Sequence, residues 1–222
     1  ESLEKMVTRS LSMAREAPVD KDIVLATNDQ LVSAQDLEAL DLIDTEVMVE
    51  ADRLEKWAIE AEVEARKVKG ITQVQGSSAS VGIIKSQLAF SNGFSQGYSR
   101  SGVNISCVSI SGQGNKMERD YASESRVHIS DLPSPSSIGQ LSGERAAARF
   151  GARKPPTGNY PVLYDERVSS SLVGHLIGAI NGASIVRGSS WLAKNLGEEI
   201  FPKNISIKEC PLKVRCSGSR PF

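Results

Sequence analysis

The sequence predicts an α+β fold: N-terminal helices, a central β-rich segment of long antiparallel strands, and the start of a second α+β domain. Two changes of pattern predict it. Apolar residues recur every three or four positions before Gly70, and alternation with a period of two replaces that spacing from there to about residue 130. A composition of 40% hydrophobic and 24% charged residues over 222 positions is typical of a globular protein.

Two amphipathic helices are predicted before the strands. The first covers residues 2–17 and stops at Pro18, which cannot continue a helix; the second covers residues 50–69 and is closed by Gly70. Apolar residues at 37–43 indicate a short helix or turn between them. We therefore expect residues 1–70 to form the end of an N-terminal helical or α+β domain.

The central segment is expected to contain three or four antiparallel strands. Apolar and polar residues alternate clearly at residues 79–83 and 103–110, as in strands with one buried face. Asn92-Gly93 and the glycine-rich run at 112–115 are turn sequences that tolerate positive φ. Residues 126–129 are predicted to close the last strand.

Helical spacing returns at residues 136–150, which closes a predicted central domain of residues 71–156. A short apolar strand is expected at residues 160–164, followed by one helix over residues 167–185. Small residues recur every fourth position in that helix, so we expect it to pack closely, either within the subunit or against another one. Residues 157–222 would then begin a C-terminal α+β domain, and the whole chain is interpreted as a fragment of a longer protein.

The cysteines and the charge limit the cellular setting and the partners. Three cysteines without a CxxC pair, Cys107, Cys210 and Cys216, indicate a reducing compartment and predict inert thiols in a cytoplasmic protein. No apolar stretch is long enough to span a membrane. The formal net charge is −1, and the basic residues after position 70 are scattered singly, which does not favour nucleic acid as a partner.

The usual enzyme signatures are absent from the sequence: it has no P-loop, no strand–helix GxGxxG, no GxSxG and no HExxH. Only two histidines occur, His128 and His175. His128 is predicted to be a half-exposed structural residue of a strand. Residues alone therefore indicate neither a metal centre nor a catalytic triad.

Short blocks in a fixed order nevertheless resemble the PmbA/TldD family, and specifically its PmbA (TldE) branch. The resemblance extends from about residue 30 to the end of the chain. The blocks that carry it are Ser91–Phe94, Gly97-Tyr98, Met117–Tyr121, Gly151–Gly158, Pro161–Leu163, Gly174–Leu176, Gly178–Ile180, Gly182, Arg187–Ser190, Leu196–Glu198, Phe201-Pro202 and Gly218–Phe222.

This resemblance implies a cytoplasmic zinc metallopeptidase of two subunits that trims unstructured peptides. In the TldD branch an HExxxH helix supplies two zinc ligands and the general base. At the matching place this chain reads His175-Leu176-Ile177-Gly178-Ala179-Ile180, so a single donor is left. The chain is thus expected to hold no catalytic and no metal-binding residue, with zinc in a TldD-like partner. The candidate interface or remnant-site residues are Gly174, His175, Gly178, Arg187, Ser189 and Ser190.

Three functions compete on this basis. The leading hypothesis is a non-catalytic subunit that pairs with a TldD-like chain, or forms a homodimer alone, and holds extended peptides at a sheet edge. The alternative is a regulatory binding protein that modulates DNA gyrase or an antitoxin, as the older family name suggests. The third, a hydrolase using Ser189 or Ser190 with His175, lacks an acid partner.

Overall fold

The structure is a computed structural model and describes residues 2–20, 24–31 and 34–221. The chain divides into two compact units. The first comprises Glu1–Gly151 together with Cys210–Phe222, and the second comprises Ala152–Glu209. The C-terminal segment therefore returns to the unit that the N-terminal part of the chain forms.

The described part of the first unit combines helices with long strands. Its elements are α1 (Leu3–Glu16), α2 (Ala34–Ala39), α3 (Ala51–Lys67), β1 (Ile71–Ala89), β2 (Ser95–Ser111), β3 (Glu118–Arg126) and α4 (Pro135–Ala148), with 3-10 turns at Asn28–Gln30, Gly114–Lys116 and Ile129–Asp131. The α+β fold with long central strands is confirmed. The short helix or turn predicted at residues 37–43 overlaps α2, and its last residues form a loop.

Local sequence explains where the two packed helices begin and end. Ser134 caps α4 by accepting a hydrogen bond from the N–H of Ser137 at 3.2 Å, and Pro135 occupies the first helical turn. Gly70 adopts a φ of 97° immediately before Ile71, the first residue of β1 that pairs with β2. That left-handed turn reverses the chain tightly between α3 and the sheet.

The three strands form one antiparallel sheet in the order β1-β2-β3. Pairing is continuous from Ala89 opposite Ser95 back to Gly76 opposite Val108, and the register then shifts near Val74. The strand β3 ends at Arg126, whereas residues 126–129 were predicted to complete it. The reason is that the 3-10 turn at Ile129–Asp131 follows at once and turns the chain out of the sheet.

The core of the first unit lies between the sheet and the helices α3 and α4. Ile105 and Cys107 on β2 are fully buried, and Ala61 and Ala65 of α3 meet them from the helix side. Gly139 of α4 lies so close to α3 that an added Cβ would approach Ala61 O to 2.0 Å. Small residues on both helices therefore set a short helix-to-helix distance.

The helix α1 contributes no buried residue, and apolar residues along it are exposed, Leu3 at 79% and Met13 at 65%. Its start and end agree with the predicted helix over residues 2–17. Among the described residues, no helix combines the length and the hydropathy that crossing a membrane requires.

The second unit holds two helices, α5 (Glu166–Ile180) and α6 (Gly182–Val186). The prediction of one helix over residues 167–185 is wrong, because Asn181 breaks it. Asn181 has an extended backbone and accepts hydrogen bonds from the N–H groups of Ala183 and Ser184, as an N-cap does. The predicted strand at 160–164 is also wrong: those residues form no strand, and nothing in the described part of this unit pairs with them.

Candidate functional site

Three of the predicted site residues lie on α5, the longer helix of the second unit. Gly174, His175 and Gly178 are all exposed, and Ala179 is the only buried residue that the helix contributes. No hydrogen bond or ion pair reaches the His175 side chain from the described part of the chain. The helix therefore presents His175 to solvent rather than to a cluster of polar groups.

Glycines of α5 and the first residue of α6 line an open surface. A Cβ added to Gly174, Gly178 or Gly182 would meet nothing within 4 Å. Leu172 and Ile177 on the same helix are 47% and 58% exposed. Within the described residues this face of the helix is not closely packed.

The remaining predicted residues follow α6 and make local hydrogen bonds. Ser190 Oγ donates to Ala179 O and accepts from the N–H of Leu192 at 3.0 Å. Ser189 Oγ donates to Ser184 O at 3.2 Å, and Arg187 Nε donates to Ala183 O at 3.0 Å. These side chains hold the turn after α6, and none of these bonds joins a serine to His175.

The zinc that the resemblance implies can be tested against the donors present. A catalytic zinc generally needs three protein ligands, and the matching helix offers His175 with Leu176 and Ile180 in the other places. Within residues 2–20, 24–31 and 34–221, no group of three His, Cys, Asp or Glu side chains could hold a metal ion. The residues that the structure describes do not fit a zinc centre.

Sequence reasoning missed a charged cluster that joins distant parts of the chain. Asp41, Asp44, His128 and Arg215, here called the Asp44 cluster, come together from three distant segments. His128 Nε2 lies 2.9 Å from Asp41 O and 3.4 Å from Asp41 Oδ1, and Arg215 Nε donates to Asp41 Oδ2 at 2.6 Å. His128 is 8% exposed, so the prediction that it is half exposed is wrong.

The charge of Asp44 is stabilised by the backbone around it. Burial opposes ionisation of this carboxyl, but the N–H groups of Ile129 and Glu46 donate to it at 2.7 and 2.8 Å, and His128 and Arg215 add favourable charge. Together these contacts hold the pKa of Asp44 below its ordinary value. The carboxylates and the arginine of the Asp44 cluster already have hydrogen-bond partners within the chain. We therefore interpret the cluster as a structural contact rather than a catalytic site.

The Asp44 cluster fastens the C-terminal segment to the central sheet. The N–H of Arg215 donates to Leu40 O at 2.9 Å, and Arg100 on β2 donates to Ser217 O at 2.6 Å. Ser219 is fully buried in the same segment. No spacing rule in the sequence could have found this tie, because Asp41 and Arg215 are 174 residues apart.

The sheet offers a second exposed surface. The face of β2 that points away from the helices carries Asn104 and Ser106, with Ser78 of β1 and Ser123 of β3 beside them. Ser78 Oγ and Ser106 Oγ are 2.9 Å apart, and Asn104 Nδ2 donates to Ser123 Oγ at 3.2 Å. These bonds give a flat polar face built from small side chains.

Comparison with known proteins identifies the class: two domains of a metallopeptidase-type protein. The PmbA/TldA metallopeptidase central domain matches residues 38–150, and the PmbA/TldA metallopeptidase C-terminal domain matches residues 157–222. The chain belongs to the PmbA/TldD metallopeptidase family.

Relatives with curated names agree with this assignment. The chain is 30% identical over 226 residues to the metalloprotease PmbA of Escherichia coli, which covers 100% of the chain and 49% of the relative. It is 28% identical to the metalloprotease PmbA homolog of Haemophilus influenzae, again over 100% of the chain and 49% of the relative. The chain thus spans about half the length of these proteins.

Solved structures show the same fold. A proposed modulator of DNA gyrase from Bacteroides thetaiotaomicron superposes with a TM-score of 0.84 at 27% identity, over 98% of this chain and 50% of that one. TldE from Thermococcus kodakarensis superposes with a TM-score of 0.61 at 15% identity, over 87% of this chain and 44% of that one, which bears on the fold alone.

Proposed function

We propose that the protein is a non-catalytic, TldE-like subunit of a TldD/TldE-type zinc metallopeptidase complex that processes unstructured peptides. One observation carries the proposal. A chain of a metallopeptidase family has leucine and isoleucine where the general base and the second zinc ligand are expected, at Leu176 and Ile180. Leucine cannot accept a proton from water and isoleucine cannot ligate zinc, which supports a partner chain as the source of the chemistry.

The partner in this proposal is a TldD-like subunit that holds the zinc. The exposed surface of α5 supports a close contact, because its glycines leave room for another backbone and Leu172 and Ile177 offer apolar area beside them. In the absence of that partner the same surface would serve a homodimer. The three cysteines are free, which supports the cytoplasm as the compartment of the complex.

A regulatory role is the second candidate function. Solved relatives from Bacteroides thetaiotaomicron and Thermotoga maritima are named as proposed modulators of DNA gyrase. A binding protein acting on gyrase or on an antitoxin would need no zinc site, which agrees with the donors in this chain. This second function would not explain, however, why both domains match those of a metallopeptidase family.

Reconstitution separates these functions. The whole protein is co-expressed with a TldD homologue, and peptide cleavage is measured for each chain alone, for the pair, and for the pair with a chelator. The proposal expects co-purification and chelator-sensitive cleavage by the pair, with none from this chain alone. A chain that binds gyrase, fails to bind the TldD homologue and leaves its cleavage unchanged would favour the regulatory function instead.

A further inference from the structure

Two arginine side chains, Arg100 and Arg220, meet at the C-terminal segment and are here called the arginine pair. Arg100 Nη1 donates to Ser217 O at 2.6 Å and to Ser219 O at 3.4 Å. Arg220 Nη1 donates to the same two carbonyl oxygens, at 3.3 and 3.0 Å. Two nitrogens that share an acceptor in this way lie no more than about 6 Å apart, so their positive charges repel each other.

No acidic side chain in the described part of the chain compensates the arginine pair. Within residues 2–20, 24–31 and 34–221, neither Arg100 nor Arg220 forms an ion pair with an Asp or Glu side chain. Each guanidinium uses only Nη1, which leaves Nε and Nη2 of both without a hydrogen-bond partner among these residues. Nε and Nη2 form an edge through which arginine binds an oxyanion with two parallel hydrogen bonds.

The chain around the arginine pair is fixed by its own hydrogen bonds. Ser219 is fully buried, and its hydroxyl donates to Lys213 O. The N–H of Arg220 donates to Pro211 O at 2.9 Å. Arg100 lies on the paired strand β2, opposite Ile84 of β1. A ligand of the pair would therefore pay little entropy for ordering the backbone that carries it.

A shallow depression of about 340 Å³ adjoins the arginine pair at the sheet. Arg100 and Ser217 line it, together with the hydroxyl and amide side chains of Ser80, Asn104 and Ser125. Among the described residues that line it, none is acidic and none is aromatic. The depression thus offers polar contacts to whatever is attached to an anion held by the pair.

The charge of the arginine pair favours a phosphate group over a carboxylate. A phosphate monoester carries about −1.5 to −2 charges at pH 7 and has three strong acceptor oxygens, so one group can compensate both guanidiniums. A carboxylate carries a single charge and would leave the other guanidinium uncompensated. Arg126, which also lines the depression, adds no free charge because Glu124 pairs with it at 2.6 Å.

The lining of the depression favours a polar substituent on the phosphate. Nucleobases are usually held by stacking on aromatic side chains, and the described lining has none. Hydroxyl groups of a sugar, by contrast, can exchange hydrogen bonds with Ser80, Asn104 and Ser125.

We propose that the arginine pair binds the phosphate group of a small polar phosphate ester, such as a sugar phosphate, whose remaining atoms lie in the adjoining depression. This site needs neither zinc nor a partner subunit, so it goes beyond the proposed function and does not depend on it. Because Arg100 belongs to β2 and Arg220 to the C-terminal segment, the ligand would bridge these two parts of the fold. Binding should therefore raise the thermal stability of the protein.

Titration of the whole protein with ribose 5-phosphate at low ionic strength tests the site. Arg220→Gln removes one of the two charges, and its lost bonds reach only Ser217 and Ser219 of the same segment, so the fold should persist. We expect about tenfold weaker binding in this variant. Lys213→Gln is the matched control, because it removes an exposed cation from the same segment, and its affinity should stay within about twofold of the wild type.

A second arginine variant separates forked binding from simple charge. Arg100→Lys keeps the positive charge and removes the two-nitrogen edge, so it should also weaken binding, whereas a site that attracts anions by charge alone would be unaffected. Thermal unfolding without ligand shows whether each variant is folded. Ribose 5-phosphate should raise the melting temperature of the wild type and of Lys213→Gln, but not that of Arg220→Gln.

A series of ligands tests the proposal on the wild-type protein, so no variant has to fold. Ribose 5-phosphate should bind more tightly than inorganic phosphate, and ribose should not bind. A phosphoserine peptide that binds more tightly than ribose 5-phosphate would overturn the proposal in favour of a modified protein as the source of the phosphate. Equal binding of ribose and ribose 5-phosphate, or unchanged affinity in folded Arg220→Gln, would overturn it as well.

Discussion

Arg215 Nε donates to Asp41 Oδ2 at 2.6 Å, and both residues have left-handed backbones, with φ of 52° and 47°. They are the two non-glycine residues with positive φ in the described chain. The ion pair is about half exposed, so its own contribution is small. Its role is to hold two strained turns together where the C-terminal segment joins the central unit.

Arg215→Gly should therefore be more stable than Arg215→Ala, by about 1 kcal/mol, because only glycine adopts this φ without strain. Both variants lose the bond to Asp41, so the difference reports the backbone alone. Urea unfolding of the two proteins measures it. At Lys213, where φ is not positive, the order should reverse; the same order at both positions would contradict this reading of Arg215.

Asp44 should make the stability of the folded protein depend on pH in the acidic range. Its folded pKa lies below the ordinary value, so its contribution is present above about pH 4 and is lost as the pH falls through the folded pKa. Asp44→Asn should lower the free energy of unfolding by about 1.5–3 kcal/mol at neutral pH, because one N–H loses a charged acceptor. The stability of this variant should also fall less steeply as the pH is lowered. Thermal unfolding between neutral and acidic pH measures both effects, with exposed Glu55→Gln as the control. If Asp44→Asn lost stability in acid as steeply as the wild-type protein, Asp44 would not be the cause of this pH dependence.

The sheet could be predicted because the signals that specify it lie in short stretches of the sequence. The alternation at residues 103–110 reflects the inward Val103, Ile105 and Cys107 of one strand, and the turn at Asn92-Gly93 sets the hairpin register. Such patterns need no knowledge of the rest of the chain. The same holds for α1, which Ser2 caps and which stops before Pro18, and for the end of α3, which Gly70 follows.

The errors arose where tertiary context decides. Residues 160–164 have the composition of a strand, but a strand exists only beside another strand, and the described second unit has none. His128 was predicted to be a half-exposed strand residue, because nothing local in the sequence shows that Asp41 and Asp44 lie beside it. The family resemblance identified the family correctly, yet the roles assigned to His175 and its neighbours stay predictions.

The contact between α3 and α4 predicts a large effect of one methyl group. Gly139→Ala would place a Cβ 2.0 Å from Ala61 O, a backbone atom that cannot move alone. We expect a loss of about 1–3 kcal/mol in the free energy of unfolding, since the helices must separate. Gly82→Ala is the control, because its Cβ meets nothing within 4 Å. Equal stability of the two variants would show that the helix contact is loose.

The exposed glycines of α5 allow stability and partner binding to be separated. Gly174→Ala adds a Cβ into open space within a helix, so the helix of the isolated chain should gain about 0.5–1 kcal/mol. If the helix packs closely on a TldD-like subunit, the same methyl group should weaken that complex about tenfold. Thermal unfolding and titration of the partner measure the two effects. A variant with raised stability and unchanged partner affinity would remove this surface from the interface.

The last prediction concerns zinc. The wild-type chain alone should bind it well below one equivalent and cleave no peptide, because His175 is the single donor at the family's metal helix. Leu176→Glu with Ile180→His restores the missing groups and should raise zinc affinity more than activity, since no second hydrogen-bonded layer orients the new ligands. Elemental analysis and a peptidase assay measure both.

Adding His175→Ala to that double variant is the control and should remove the gained zinc. A double variant that binds zinc equally well without His175 would show that the metal sits elsewhere. Stoichiometric zinc in the wild-type protein, with chelator-sensitive cleavage and no partner present, would overturn the proposal that this subunit is non-catalytic. The prediction follows from counting ligands on one helix, so it stands or falls independently of where the peptide is held.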